Sequence, residues 1–285
     1  MSKFLFRILI LFLVGAMGCT ELPIIEVEET DETTHSSLGA LSEVLSTFDI
    51  VQDYALSSDL LYKKDESLIP SSVLISYVDT TFKDGNGIEL IFDFGSLGAA
   101  PHGVLCKDEK YRAGEFVLKL NKPYTYSDAR LKIEFGKDNP FYSGNGQTMS
   151  KLKGSLTLSR SSLNEVILRC SDLVVQQEDI IQSIESNVSV MQEKDFGPGI
   201  VNDELTFAGY VNVTEGSVVT RLKTISPLYK NYKMGCAMHI IKGEMDVQMS
   251  SSKSEIHVDF DPYDDMACDN KVELTINGKS VLFEY

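Results

Sequence analysis

Short segments in which apolar and polar residues alternate fill the chain from Ser71 to Glu284. In the segment from Glu115 to Leu120, for example, Phe116, Leu118 and Leu120 would share one face of a strand, and Glu115, Val117 and Lys119 would lie on the other. Turn signals separate the segments, and Asn277-Gly278 is the strongest hairpin signal among them. The predicted strands are 73–78, 88–94, 115–120, 129–135, 151–158, 165–169, 184–190, 205–213, 217–225, 239–249, 255–260, 272–276 and 280–284.

Apolar residues recur with the period of a helix in the segment that begins at Ser36 or Ser37. Apolar residues three and four positions apart form one stripe from Leu38 to Ala55, which predicts an amphipathic helix running to about Leu61. We expect this helix to pack across a sheet or to cover a sheet edge.

These elements predict a mainly β fold in which two antiparallel β-sandwich-like units are preceded by one amphipathic helix. The segments 92–118 and 258–274 resemble each other, since each is a strand, a polar loop with Cys and Asp, and a second strand. The predicted organisation is a signal peptide (1–18), a lipidated acidic tether (19–35), the amphipathic helix and a linker (36–66), a first β unit (67–160) and a second β unit (161–285).

The first nineteen residues have the layout of a bacterial lipoprotein signal peptide. Lys3 and Arg7 form a positively charged region, and the apolar run that follows is too short to span a membrane as a helix. Gly18 directly precedes Cys19, as in the lipobox read by lipoprotein signal peptidase, which predicts a diacylated Cys19 at the mature N-terminus. The alternatives are an ordinary cleaved signal with a coincidental cysteine, or a transmembrane anchor.

An acidic, proline-containing run follows Cys19 up to Glu32. Its composition predicts a disordered tether, and it resembles the acidic stretch behind the lipidated cysteine of surface-exported lipoproteins in Bacteroidetes. Without residues 1–18 the chain carries a net charge of about −18. That charge argues against nucleic acid as a partner and against direct adsorption to an anionic membrane face.

Four further cysteines, Cys106, Cys170, Cys236 and Cys268, permit disulfides in an exported chain, with three possible connectivities. The pair Cys236–Cys268 is favoured, because both residues fall in one C-terminal β segment. A Cys106–Cys170 pair remains open. Thiol ligation of a metal is not expected, since the sequence has no C-x-x-C pair.

Several short segments together resemble an uncharacterised group of two-part, β-rich lipoproteins of Bacteroidetes cell envelopes. The resemblance implies a β-rich fold and an envelope location, but no activity. The usual Asp-Gly-Arg of the group beside Cys106 is here Asp108-Glu109-Lys110, and a cysteine expected near Ser72 is absent, so the group does not supply a partner for Cys106. The segments are Phe92-Asp93-Phe94-Gly95, Lys110-Tyr111-Arg112-Ala113-Gly114-Glu115, Lys153-Gly154-Ser155-Leu156-Thr157, Phe207-Ala208-Gly209, Ser226-Pro227-Leu228, Gly243-Glu244-Met245, Cys268-Asp269-Asn270-Lys271 and Ile276-Asn277-Gly278-Lys279.

The densest acidic cluster is a candidate calcium site. Alternating carboxylates in a loop can supply several of the six to eight oxygens that Ca²⁺ requires, although the EF-hand order of ligands is missing. A solvated turn is the alternative interpretation. The candidate ligands are Asp259, Asp261, Asp264 and Asp265, with Asp269 nearby.

No catalytic constellation is evident, so the chain is not expected to be an enzyme. The sequence has no G-x-S-x-G elbow, P-loop or dinucleotide fingerprint, and its four histidines lack metal-ligand spacing. His239 and His257 are predicted to be strand residues. No resident cofactor is expected apart from the candidate calcium ion.

Two functions from different classes fit these patterns. The first is a membrane-anchored outer-membrane lipoprotein of the cell envelope that acts as a non-catalytic structural or protein-interaction module, facing either the periplasm or the cell surface. The alternative is a surface ligand-binding lipoprotein that captures glycan. The chain has no Trp for sugar stacking, so loop-like aromatic residues would have to serve instead. They are Tyr111, Tyr124, Tyr126, Phe141 and Tyr142.

Overall fold

The computed structural model describes residues 24–54, 69–124, 126–136, 138–162, 164–194 and 202–284, with helix side chains described from Glu32 to Ile50. Within these ranges the chain forms the helix α1 (Ile24–Tyr54) and sixteen strands. The strands are β1 Leu74–Asp79, β2 Ile88–Asp93, β3 Val104–Leu105, β4 Tyr111–Ala113, β5 Glu115–Leu120, β6 Arg130–Phe135, β7 Phe141–Gly144, β8 Met149–Arg160, β9 Glu165–Gln177, β10 Ile180–Lys194, β11 Glu204–Glu215, β12 Val218–Asn231, β13 Lys242–Met249, β14 Ile256–Asp259, β15 Lys271–Ile276 and β16 Lys279–Glu284.

All the strands belong to one antiparallel sheet with the order β1-β2-β5-β6-β8-β9-β10-β11-β12-β13-β14-β15-β16. Strands that follow each other in sequence are mostly neighbours, because short turns connect antiparallel strands readily. The hairpin at Asn277-Gly278 has positive φ at both residues, as its sequence predicts. A short branch, β3-β4-β7, joins the sheet where β7 pairs with the first part of β8.

Strand β8 changes partner at Gly154. The residues before Gly154 pair with β7 and those from Gly154 onward pair with β6, while the register with β9 shifts between Lys153 and Thr157. Gly154 has a φ of 99°, and a Cβ there would lie 2.0 Å from the carbonyl oxygen of Asp172. Only glycine meets both requirements, so this residue makes the branch point of the sheet possible.

The predicted mainly β class with a single N-terminal helix is confirmed. The two predicted β units adjoin within the same sheet, because β8 pairs with β9 across the predicted boundary at residue 160. The strands β3, β4 and β7 were not predicted.

Helix α1 begins at Ile24, so the predicted start at Ser36 or Ser37 is wrong. The acidic run from residue 24 onward is helical, whereas the sequence predicted a disordered tether across residues 19–35. Pro23 precedes the first helical residue and acidic residues follow in the first turns, an order that favours a helix N-terminus through proline's fixed φ and the helix dipole. The predicted end near Leu61 lies outside the described residues.

The helix is enclosed by the sheet rather than laid along it. Leu38, Leu41, Leu45 and Phe48 are buried, as the apolar stripe predicts. Polar side chains of the helix are buried as well, whereas an amphipathic helix would expose them to solvent. They are Thr34, Ser37, Glu43, Ser46, Thr47 and Asp49. One stripe stays open to solvent, at Glu32, His35, Ser36, Gly39 and Ser42.

Candidate functional site

A network of buried charges fixes α1 inside the sheet. Three carboxylates face three cations, so the charges of the network balance. Pairing of this kind is required because an unpaired charge is costly to bury. The members are Glu43 and Asp49 on the helix, Asp108 and Lys110 before β4, Arg112 on β4, and Lys230 on β12.

Asp49 is the deepest helix carboxylate of this network. Its Oδ2 accepts a hydrogen bond from Lys230 Nζ at 2.9 Å, and its Oδ1 accepts one from the hydroxyl of Tyr232. Burial raises the pKa of Asp49, and the charge of Lys230 offsets this effect only in part. The pair therefore joins the second half of the helix to the end of β12 at the cost of desolvating both charges.

The side chain of Arg112 binds the backbone of helix α1. Its guanidinium is fully buried and forms a two-pronged pair with Asp108, with Nη1 2.6 Å from Oδ1. Nη2 also donates to the carbonyl oxygen of Ser46 on α1 at 3.3 Å. Burial opposes ionisation of Asp108, but the charge and hydrogen bonds of Arg112 outweigh it and hold the pKa of Asp108 below its usual range.

Lys110 and Glu43 form the outermost pair of the network. Lys110 Nζ lies 2.9 Å from Glu43 Oε1 and 3.4 Å from the hydroxyl of Ser42. Both charged side chains are about one-tenth exposed, and both reach the wall of an open groove. The charge network therefore ends at a surface depression.

This groove, which we call the helix groove, has a volume of about 830 Å³. The open stripe of α1 forms its floor. Its walls are the β7–β8 turn at Asn145 and Thr148, the β9–β10 turn at Glu178, and the loop that carries Met238 and His239. The sequence places these walls far apart, and the curved sheet brings them together around the helix.

The helix groove is partly prearranged by hydrogen bonds. The side chain of Gln182 donates to Ser36 Oγ at 2.7 Å and to Glu215 Oε2 at 3.0 Å, which fixes the floor to β10 and β11. Burial lowers the pKa of His239, so this imidazole is neutral near pH 7. Besides the neutralised pair Lys110–Glu43, the groove is lined by the carboxylates of Glu32 and Glu178.

Gly39 lies at the centre of the groove floor. It sits inside a helix, where glycine costs about 1 kcal/mol relative to alanine. No neighbour requires it, because a Cβ at this position would meet nothing within 4 Å. Packing and backbone geometry therefore leave this glycine unexplained.

The acidic cluster builds a turn, and the calcium hypothesis stays a prediction. Asp261 Oδ1 accepts the backbone N–H groups of Asp265 and Met266 at 2.9 and 3.0 Å, and Asp259 Oδ1 accepts that of Asp261. Asp264 adopts a positive φ of 54° in the same turn. Across the described residues, no group of three or more His, Cys, Asp or Glu side chains is placed to hold a metal ion. The carboxylates instead satisfy backbone donors, as is common for Asp in turns.

The candidate aromatic residues for sugar stacking do not form a platform. Phe141 is fully buried and packs against Phe135 at 5.1 Å between ring centroids. Tyr124 is also buried, with the guanidinium of Arg160 over its ring. Tyr111 and Tyr142 are half-buried on β4 and β7, and Tyr126 is exposed in a turn. The two buried rings have no face available to a ligand, so Tyr124 and Phe141 serve packing, which was the alternative role for these aromatic residues.

The predicted disulfide pair is confirmed. Cys236 and Cys268 are joined, with 4.8 Å between their Cα atoms. The open alternative of a Cys106–Cys170 pair is wrong, because both of these residues are buried thiols. Burial raises the pKa of Cys170 to about 11. The disulfide ties the loop with Met238 and His239 to the segment before β15, and so it supports one wall of the helix groove.

The two strand histidines differ in placement. His257 lies on β14, as predicted, with Nδ1 3.1 Å from Asp246 Oδ1 beside a second depression of about 680 Å³. His239 precedes β13 in a loop, so its assignment to a strand was wrong.

The last strand, β16, is an exposed sheet edge. It pairs with β15 alone among the described strands, without a break in register from Lys279 to Glu284. Val281 and Leu282 point to opposite faces of the sheet, and each is 49 % exposed. The edge strand at the other end, β1, differs because its register shifts between Tyr77 and Asp79. Such a bulge protects an edge from pairing with another strand.

Cys19 and the predicted signal peptide lie outside the described residues. Within the described part of the chain, no helix is long and apolar enough to cross a membrane. Comparisons with protein-family models, with curated proteins and with solved structures find no match to this chain.

Proposed function

We propose that the chain is a membrane-anchored cell-envelope lipoprotein that acts as a non-catalytic protein-interaction module. The exposed edge strand β16 carries this proposal. An unbroken edge strand offers a row of backbone donors and acceptors to an extended segment of a partner. Val281 and Leu282 add apolar contacts on both faces of such a pairing. The partner is therefore an envelope protein with an extended segment that has apolar residues at neighbouring positions, one for each face of the sheet.

The lipobox at Gly18-Cys19 supports the envelope location. Four residues separate Cys19 from the start of α1 at Ile24. An extended chain of that length reaches less than about 20 Å, so a lipid on Cys19 would keep the helix start close to the bilayer. Because the helix continues into the sheet and is held there by buried charges, the anchor would also set the orientation of the β domain.

A photo-crosslinking amino acid at Leu282 tests the interaction in living cells. We expect one discrete adduct with another envelope protein. The same amino acid at Met191, which is 43 % exposed on the interior strand β10, should give no such adduct, because both edges of β10 are already paired.

Val281→Lys should abolish the Leu282 adduct, because a lysine on an edge strand opposes strand addition. The variant should remain folded, since Val281 is half exposed. The proposal fails if no adduct forms, if the Met191 position gives the same adduct, or if the only adduct is a second copy of this chain.

A further inference from the structure

We propose that the helix groove binds a neutral oligosaccharide. This inference goes beyond the proposed function and is independent of the lipid anchor and of β16. It rests on the chemistry of the groove lining and on the unexplained glycine in its floor.

The groove has the size of a ligand site. Its volume of about 830 Å³ falls within the range of small-molecule pockets. Its walls come from turns and loops that the sheet and the Cys236–Cys268 disulfide hold in place. The hydrogen bonds of Gln182 to Ser36 and Glu215 fix the floor in advance, which reduces the ordering cost of binding.

Residues with uncharged polar side chains are the largest class among the described residues of the lining. Eight of these residues bear a hydroxyl or an amide, among them Ser36, Ser42, Asn145, Thr148 and Gln182. Hydroxyls and amides both donate and accept hydrogen bonds, and so do the hydroxyls of a sugar. The floor is a helix, so it offers no strand edge with which a peptide could pair.

The charges of the lining select against acidic ligands. Among the described residues of the lining, Lys110 is the only Lys or Arg, and Glu43 neutralises it. Glu32 and Glu178 add negative charge at the groove. An oligosaccharide with uronic acids would therefore be repelled, whereas a neutral one would not.

Gly39 is the second observation that points to a ligand. Alanine would stabilise the helix at this position, and it would meet nothing within 4 Å. A glycine that costs helix stability and serves no packing role is explained if the absence of a side chain leaves room for a ligand. The ligand then lies against the backbone of α1 between Ser36 and Ser42.

Two variants of Gly39 give a matched test in the full-length chain. Gly39→Ala should raise Tm by about 2–4 °C and weaken oligosaccharide binding by at least about threefold, because its methyl group occupies the floor against which the ligand lies. Gly39→Leu should keep a comparable Tm, since leucine is a good helix former, but its side chain fills the groove. We expect this variant to lose binding by at least about tenfold.

The probes are an array of neutral tri- to pentasaccharides, the corresponding uronic-acid oligosaccharides, and a peptide library as comparison. Binding of neutral probes that Gly39→Leu abolishes and Gly39→Ala weakens, although neither variant lowers Tm, supports the inference. Binding of peptides alone, equal binding of acidic probes, binding that Gly39→Leu leaves intact, or the absence of any binding overturns it. None of these results bears on the Leu282 adduct, so the failure of either proposal can be recognised separately.

Discussion

Asp49→Ala is expected to lower the free energy of unfolding by about 3–5 kcal/mol, because it leaves a buried ammonium group without a carboxylate. Lys230 Nζ is 2.9 Å from Asp49, and the side chains of the pair are 5 % and 2 % exposed. The hydroxyl of Tyr232 loses its acceptor at the same time. Chemical denaturation of the full-length chain measures the effect.

Two further variants distinguish charge burial from simple loss of packing. Asp49→Leu combined with Lys230→Met removes both charges and should recover most of the lost stability, since an apolar pair of similar size can replace a buried ion pair. Lys122→Ala removes a partner of the exposed Asp128 and should cost less than about 1 kcal/mol. A loss below 1 kcal/mol in Asp49→Ala would contradict the role assigned to the network.

Loss of the disulfide is the second large effect. Replacing Cys236 and Cys268 by serine should cost about 3–4 kcal/mol, because the bond closes a loop with a sequence separation of 32 residues and restricts the unfolded chain. The loop wall of the helix groove should also become less ordered, since it carries Met238 and His239.

Denaturation with and without reductant provides the measurement. Reductant should lower the stability of the unsubstituted chain to that of the double serine variant, and it should leave the variant itself unchanged. Cys170→Ala serves as a control that removes a buried thiol without opening a loop. Equal stability of the chain before and after complete reduction would show that the disulfide does not stabilise the fold.

Regular alternation made most of the sheet predictable. The segment from Glu115 to Leu120 coincides with β5, and the Asn277-Gly278 turn joins β15 to β16. The strands β3, β4 and β7 have only two to four residues each, too few to show a period. The pattern therefore identified the long strands and missed the branch that carries Arg112.

The helix was predicted from its apolar stripe, but the buried charges around it were not. The residues around Glu43 and Asp49 in the sequence include no cationic partner for either carboxylate, and only the folded sheet brings cations to them. Asp49 and Lys230 are 181 positions apart in the chain. No local sequence pattern predicts such a pairing. The charged run Asp108-Glu109-Lys110, where the resembling group has Asp-Gly-Arg, contains two members of the charge network and was visible in the sequence.

The helix groove could not be predicted for the same reason. It combines one helix stripe with turns from three distant parts of the chain. The one local signal was Gly39, a glycine inside a helical period. The acidic cluster at Asp259–Asp265 gave a stronger sequence signal, and it builds a turn in which the carboxylates of Asp259 and Asp261 accept hydrogen bonds from nearby backbone N–H groups.

Palmitate labelling of the full-length chain and of Cys19→Ala in a bacterial host tests the lipid-anchored module most directly. The unsubstituted chain should take up the label and sediment with membranes, and Cys106→Ala should do the same because that thiol is buried in the β domain. Cys19→Ala should lose the label and leave the membrane fraction. Label that survives in Cys19→Ala, or an unlabelled unsubstituted chain, would contradict the account.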